Sequence, residues 1–328
     1  MFKVLILVPK SRIERFGVKP PAGVKITFLA PPCTDDEIIE AGKGADCIFV
    51  SPVDPVSRKV IYALDTLKLI HSEGVGFDKI DVEAAKERNV YVCNNRNVNS
   101  GAVAEHTVGL IIAALRRIPY ADKEIKKGNY GPCQLEYRAK GYNELSSIHV
   151  GIVGLGAIGR ETAKRLRPFG CKISYYDAFR PAKEVEEELG VQYLSFEDIC
   201  RQCNVISFHV PVLPETRYMV NETSIGWMKD GVILINTARG EIIDQVALAK
   251  ALEEGKIACA ALDTVTPEPP GEDHPLLNLS EKASDRLIIT PHIGGTTDEA
   301  FQRMHTWAWE NVQRVMEGKR PVNIVNGL

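Results

Sequence analysis

The stretch Val150-Gly-Ile-Val-Gly154-Leu-Gly156-Ala-Ile-Gly159 constrains the fold of this chain more than any other. It places Gly-x-Gly-x-x-Gly directly after an apolar strand, His149–Val153. It also opens a helix, Ala157–Pro168, with Ala157, Ile158, Ala163 and Leu166 at helical spacing. That is one strand–turn–helix unit of a doubly wound sheet. In it Gly154 permits the tight turn, Gly156 lets the backbone approach a pyrophosphate, and Gly159 lets the helix pack closely on the strand. Phosphates would sit on the first turn, at Ala157 and Ile158, where free N–H groups and the helix dipole favour anions. Asp177 closes the next strand, Cys171–Tyr176, 18 residues past Gly159. That is near the spacing of an acid that accepts from ribose hydroxyls. A carboxylate there repels a 2′-phosphate, so the reading is NAD rather than NADP, with Arg180 as the counter-argument.

Short apolar runs alternate with helical patterns along the rest of the chain. Phe2–Val8, Val24–Leu29, Cys47–Val50, Leu67–His71, Val205–Val210, Gly231–Ile235, Ile257–Ala261 and Leu287–Ile289 read as strands. Asp35–Gly42, Asp81–Arg88 and Thr297–Glu317 read as helices. Such alternation implies parallel sheets with crossover helices, and 328 residues suit two domains. The pattern breaks twice. Gly101–Arg117 is a helix apolar on most faces, which suggests burial between domains or subunits. Tyr120–Ser147 shows no clear period and reads as a long excursion or an assembly arm.

Composition excludes several classes. Hydrophobic residues at 45% and charged residues at 25% exclude a disordered chain. With 40 Lys and Arg against 43 Asp and Glu, the net charge of −3 offers no field for nucleic acid or an anionic membrane surface. No apolar stretch approaches a membrane span. The N-terminus does not read as a signal peptide, so a cytoplasmic protein is expected. Eight cysteines are scattered along the chain, and reduced thiols are expected. Cys200-Arg-Gln-Cys203 reads as two thiols at a helix end, since no second pair completes a zinc site. No metal is expected.

Hydride transfer to a 2-oxo acid needs a cation for the carboxylate, a proton donor for the developing alkoxide, and a group that keeps that donor protonated. Arg239 leaves one strand, Glu268 follows the next, and His292 the one after. All three stand beyond strand C-terminal ends, where open parallel sheets bind ligands.

Together these residues make the chain resemble the D-isomer-specific 2-hydroxyacid dehydrogenases over essentially its whole length. The front half contributes Gly74-Val-Gly76-Phe-Asp-Lys-Ile-Asp81 and Ala102-Val-Ala-Glu105-His106. The back half adds Gly154–Gly159, His209-Val-Pro211, Pro214-Glu-Thr216, Asn236-Thr-Ala-Arg239-Gly240, Asp263 with Glu268-Pro269, and Pro291-His292. The resemblance implies that Arg239 binds the substrate carboxylate and carbonyl. His292 would be the acid in reduction and the base in oxidation, with Glu268 favouring its imidazolium form. The backbone of Gly74, Val75 and Gly76 would grip the carboxylate. The cofactor-binding set it implies comprises Gly154, Gly156, Ala157, Ile158, Gly159, Asp177, His209, Val210, Pro211, Thr216, Thr237, Ala238, Arg239, Asp263 and His292, with Asp263 on the nicotinamide side.

The fold it implies is α/β, with two doubly wound parallel-sheet domains, Rossmann-like and flavodoxin-like. A substrate domain of residues 1–99 plus 291–328 would receive an NAD-binding domain, 100–290, as an insertion. Residues of about 118–147 would be a dimerisation arm of a homodimer. Substrate would lie in the cleft between the domains. The expected activity is NAD-dependent reduction of a small-molecule 2-oxo acid to a D-2-hydroxy acid. An NAD-sensing corepressor-like binding protein of the same fold is the alternative from another class, and formate or phosphite oxidation the enzymatic one. Two departures touch substrate choice: Glu73 precedes the Gly74–Gly76 turn, where small or basic residues are common. Arg96-Asn97 stands where Pro-Gly is common, and Arg96 is a candidate for meeting a second anionic group.

Overall fold

Strands buried on both faces of a parallel sheet are written as unbroken apolar runs, and most strands of this chain are such runs. The computed structural model describes all 328 residues. The chain divides into two units, Met1–Asn99 with Thr296–Leu328, and Ser100–Gly295.

The first unit carries β1 (Phe2–Leu7), β2 (Val24–Phe28), β3 (Cys47–Val50), β4 (Leu69–Ser72) and β5 (Tyr91–Cys93). They form one sheet of order β2-β1-β3-β4-β5, parallel throughout. Leu5, Ile48, Ile61, Ile70 and Ala84 pack one face. Val4, Ile6, Phe49 and Leu69 pack the other, beneath Ala308, Trp309 and Val312 of the helix Asp298–Met316. The chain then returns to the sheet, with Val325 N–H donating to Val92 O at 2.8 Å.

His71 lies fully buried in β4. Its Nδ1 donates to Ser72 O at 2.9 Å and its Nε2 accepts from Asn311 Nδ2 at 3.1 Å. Burial holds its pKa down to about 4, against an ordinary 6.5, although the Ser72 carbonyl pulls the other way. The folded state therefore resists a proton that the unfolded chain accepts. Stability should be complete above about pH 6.5 and should fall by about 3 kcal/mol in total as the pH drops towards 4. Urea unfolding at pH 7.5, 5.5 and 4.5 measures this, and His71→Gln should flatten that part of the profile.

The second unit holds β6 (His149–Val153), β7 (Lys172–Tyr176), β8 (Gln192–Tyr193), β9 (Val205–Phe208), β10 (Val232–Asn236), β11 (Ile257–Leu262) and β12 (Leu287–Ile289). Their order is β12-β11-β10-β9-β6-β7-β8, again all parallel. Sequence order reverses between β6 and β9. The glycine turn leaves β6 there, at the switch point where such sheets bind ligands. The Cys200 and Cys203 thiols are buried in this unit's core, where burial pushes each up to about 12.

Three expectations change. The helix Ser100–Leu115 buries ten of its 16 residues and packs on the helix Ala157–Leu166, β10 and β11 of its own unit. Its apolar faces thus have partners within one unit. The segment read as a long excursion or an assembly arm, with no clear period, holds two helices, Ile118–Lys126 and Tyr130–Lys140. Polar and aromatic contacts tie them, and almost none of their residues is buried. Arg117 lies 4.0 Å over the Tyr120 ring, Glu136 accepts from Tyr120 Oη at 2.8 Å, and the Tyr137 and Tyr142 rings are 4.7 Å apart. Finally, residues 291–295 fall in the second unit rather than with the C-terminal return. Asp263 holds them there: its carbonyl accepts from His292 N–H at 2.9 Å, and its carboxylate from Ile293 and Gly294 N–H at 2.9 and 2.8 Å.

Candidate active site

The glycine turn is shaped by what a side chain would meet. Gly154 has φ +98°, and a Cβ on Gly159 would lie 2.1 Å from Gly154 O. At Gly156 a Cβ would meet nothing within 4 Å. No side chain caps the helix Ala157–Leu166 that starts there. An uncapped helix start under open space, at a switch point, suits the pyrophosphate of a dinucleotide. Asp177 stands at the end of β7. Its Oδ2 accepts from Leu155 N–H at 2.7 Å and its Oδ1 from Phe179 N–H at 2.9 Å. Each oxygen keeps acceptor capacity for a hydroxyl. Arg180, the sequence's counter-argument, is committed to Glu186 at 2.7 and 3.0 Å.

The loops after β9 and β10 lie on the same edge. Burial of its ring holds His209 down to about 3; its Nε2 bonds to Ser207 Oγ at 2.9 Å and its buried Nδ1 has no partner. Val210 and Pro211 follow, and Thr216 Oγ1 donates back to Pro211 O. Thr237 is buried and shares a hydrogen bond with Thr107 at 3.0 Å. Asn236 clamps the next turn: its Oδ1 accepts from Ala238 N–H at 3.0 Å and its Nδ2 donates to Arg239 O at 2.9 Å.

Glu268 and His292 meet directly. His292 Nδ1 lies 2.9 and 3.1 Å from the two Glu268 carboxylate oxygens. A carboxylate only accepts, so Nδ1 carries the proton of this bond and Nε2 is left for other chemistry. Both side chains are about one-third exposed, at 31% and 37%. His292 sits at φ +53°, a conformation that costs a non-glycine residue energy and gathers at functional sites. Arg239 is half-buried, its Nη1 donating to Ala238 O at 2.8 Å. The next residue fixes its loop against the Glu268 loop, because a Cβ on Gly240 would stand 2.2 Å from the Val265 carbonyl carbon.

In the first unit the Gly74–Gly76 turn has its carbonyls tied back. Asn95 N–H donates to Gly74 O at 2.8 Å, Asn94 Nδ2 to Val75 O and Ser72 Oγ to Gly76 O, both at 2.6 Å. The three N–H groups donate to nothing in the chain, a backbone arrangement that suits an anion. Arg96 is exposed.

Known proteins match this arrangement. The family model for the D-isomer specific 2-hydroxyacid dehydrogenase NAD binding domain matches residues 108–294. The chain belongs to the D-isomer-specific 2-hydroxyacid dehydrogenase family. A D-3-phosphoglycerate dehydrogenase of Methanocaldococcus jannaschii is 39% identical over 327 residues, which cover 99% of this chain and 60% of the relative. A glyoxylate reductase of Thermofilum pendens is 39% identical over 296 residues, 90% of this chain and 85% of that one. Among solved structures, the Aquifex aeolicus D-lactate dehydrogenase complexed with NAD and lactic acid has a TM-score of 0.81 at 30% identity, over 96% of each chain. The cofactor of this family member is NAD, and the free helix start and Asp177 fit it. No helix is long and apolar enough to cross a membrane.

The family's motif residues rest on groups that sequence reading missed. Asp263, expected beside the nicotinamide, is 2% exposed and is the hub of the His292 loop. Besides the Ile293 and Gly294 amides, it accepts from Thr290 Oγ1 at 2.5 Å, and His106 Nε2 donates to Thr290 Oγ1 at 3.1 Å. Burial alone would raise its carboxyl, but these donors hold it below the usual carboxylate range. Thr266 O, two residues before Glu268, is flanked by two ring or amide nitrogens, Gln245 Nε2 at 3.0 Å and His274 Nε2 at 3.2 Å. Leu276 N–H donates to His274 Nδ1, which puts the His274 proton on Nε2, facing Thr266 O. Only His106 had a sequence signal, its place in the Ala102–His106 motif.

Proposed function

We propose that this chain catalyses the reversible NAD-dependent reduction of a 2-oxo acid to the D-2-hydroxy acid. The observation that carries the reading is the Glu268–His292 pair, with Nδ1 engaged and Nε2 free. When bound, NADH supplies the hydride. Arg239 binds the substrate carboxylate and polarises the carbonyl, a task for a planar, permanently charged fork. His292 Nε2 gives its proton to the developing alkoxide, while Glu268 fixes the ring by its other nitrogen. The N–H groups of Gly74, Val75 and Gly76 bind the carboxylate. Formate oxidation needs no such proton donor, and a corepressor needs no complete acid pair.

The test is NADH consumption with pyruvate, 2-oxoisocaproate, phenylpyruvate, glyoxylate, hydroxypyruvate and oxaloacetate, with chiral analysis of the product. Turnover to a D-hydroxy acid is the expected result. Tight NADH binding with no turnover of any of them would overturn the reading. Asp177→Ala should narrow the preference for NADH over NADPH by about tenfold or more, because the carboxylate that repels a 2′-phosphate is gone. An unchanged ratio of kcat/KM values would remove Asp177 from cofactor choice.

We also propose a homodimer joined through the segment of about 118–147. Ile118, Ile125, Tyr130 and Leu135 are exposed there, at 50%, 42%, 62% and 67%, a concentration of apolar surface that marks interfaces. The mass in solution reads this out. The eight free cysteines suit a reducing compartment such as the cytoplasm.

A further inference from the structure

Glu73, which precedes the Gly74–Gly76 turn, is the centre of a hydrogen-bonded cluster with Arg12 and His305 in the first unit. Its side chain is 3% exposed. Oε1 accepts from His305 Nε2 at 2.9 Å and Oε2 from Arg12 Nη1 at 2.9 Å. Its backbone is pinned as well, with N–H donating to Val50 O at 2.7 Å and O accepting from Asn95 Nδ2 at 2.7 Å. His305 is held between Phe16, Phe49 and Phe301. Glu73 cannot swing away from Arg12 without leaving His305.

Arg12 stands at a particular place on the sheet. Order reverses between β1 and β3, so the crevice that binds ligands in such sheets opens beyond those two strands. Arg12 follows β1, and Ser51, Pro52 and Asp54 follow β3. Pro52 lies against Gly74, where a Cβ would come within 2.9 Å of its ring. Arg12 therefore borders the turn proposed to hold the substrate carboxylate. Its side chain is 37% exposed and only Nη1 is bonded, so further guanidinium N–H groups are available. Its charge is not. Glu73 cancels it at contact distance, and Asp54 feels both Arg12 and Glu73. Arg96, on the loop after β5, is exposed and screened by water.

We propose that the Arg12–Glu73–His305 cluster selects the substrate by charge. It presents Arg12 as a neutralised hydrogen-bond donor that accepts a 2-oxo acid with an uncharged hydroxyl on C3 and rejects one with a phosphate or second carboxylate there. The inference rests on the proposed 2-oxo acid reduction with the substrate carboxylate at Gly74–Gly76. Arg12 and Glu73 are specificity residues, and His305 is a positioning residue acting through Glu73.

The experiment compares kcat/KM for pyruvate, hydroxypyruvate and 3-phosphohydroxypyruvate in wild type, Glu73→Gln, Arg12→Gln and the double variant. Wild type should favour hydroxypyruvate over its phosphate. Glu73→Gln frees the charge of Arg12 and should raise the phosphorylated-to-unphosphorylated ratio by about tenfold or more. The double variant should lose that gain, since it needs the freed charge. Arg12→Gln alone should lower kcat/KM for hydroxypyruvate by about tenfold relative to pyruvate. His305→Ala, which removes the donor to Glu73, should move the ratios away from wild type, and His305→Gln, which keeps a donor, should restore them towards wild type. A merely structural role would weaken all three substrates together and leave the ratios unmoved. Unmoved ratios, or a wild type that prefers the phosphate, overturn this inference while the functional reading stands. A wild type silent on every oxo acid overturns that reading and this one with it. If Glu73→Gln does not fold, the half-exposed Arg12→Gln still decides the matter by its hydroxypyruvate-to-pyruvate ratio.

Discussion

Alanine at position 292 should lower kcat for oxo acid reduction by about 10²–10⁴-fold, the usual contribution of a positioned proton donor. The reason is local. Nε2 is the one ring nitrogen left over once Nδ1 is engaged by Glu268, and alanine removes both. NADH affinity, read by fluorescence titration, should stay within about threefold, because the phosphate cradle and Asp177 lie on other loops. Glu268→Gln is the informative companion. It keeps an oxygen that can accept from Nδ1 but removes the charge, so it should fall between wild type and His292→Ala and alter the pH profile of kcat. If His292→Ala keeps activity within a few-fold, His292 is not the proton donor.

Replacing Arg239 by alanine should be equally severe, but by a different route. Arg239 is asked to hold the substrate carboxylate in the ground state and the carbonyl oxygen as charge develops on it. KM should therefore rise and kcat fall together, with kcat/KM reduced by about 10³-fold or more, equivalent to about 4 kcal/mol of transition-state stabilisation. Arg239→Lys should recover only part of this, because an ammonium cannot make the two parallel bonds of a guanidinium fork. Its loop is braced independently of the side chain, by Asn236 on the Arg239 carbonyl and by the packing of Gly240 on the Val265 backbone. The variant should therefore unfold at the same urea concentration as wild type, which separates lost chemistry from lost structure. An unchanged KM for every active oxo acid would refute the carboxylate role.

The parts legible in the sequence are those whose physics is local. Parallel strands such as Cys47–Val50 and Val232–Asn236 announce themselves as apolar runs because both faces are covered. The glycine turn, the helix after it and Asp177 fall within one strand–turn–helix–strand unit. The Glu268–His292 pair was legible because both residues follow strand ends of the same sheet, although nothing in the sequence gave their separation. What stayed hidden was made by contacts distant in sequence or polar in kind. Glu73 bonds residues 61 and 232 positions away. Of the helices Ile118–Lys126 and Tyr130–Lys140 only Cys133 is buried, so neither turns a stripe into the core of its unit. That Asp263 also anchors the His292 loop was hidden, because its three backbone and side-chain donors come from a loop about 30 residues on, which no periodicity connects to it.

The interrupted first unit has a consequence for how the protein is made. Residues 1–99 leave the ribosome before the second unit, yet one face of their sheet is sealed by Ala308, Trp309 and Val312, which come more than 200 residues later. The second unit is contiguous in sequence and can complete its own core while the first still exposes Val4, Ile6, Phe49 and Leu69. At typical synthesis rates that apolar face stays bare for about ten seconds or more. Until the helix Asp298–Met316 arrives, a finished second unit is tethered to a first unit with one bare apolar face, the kind of surface on which chains aggregate and chaperones act.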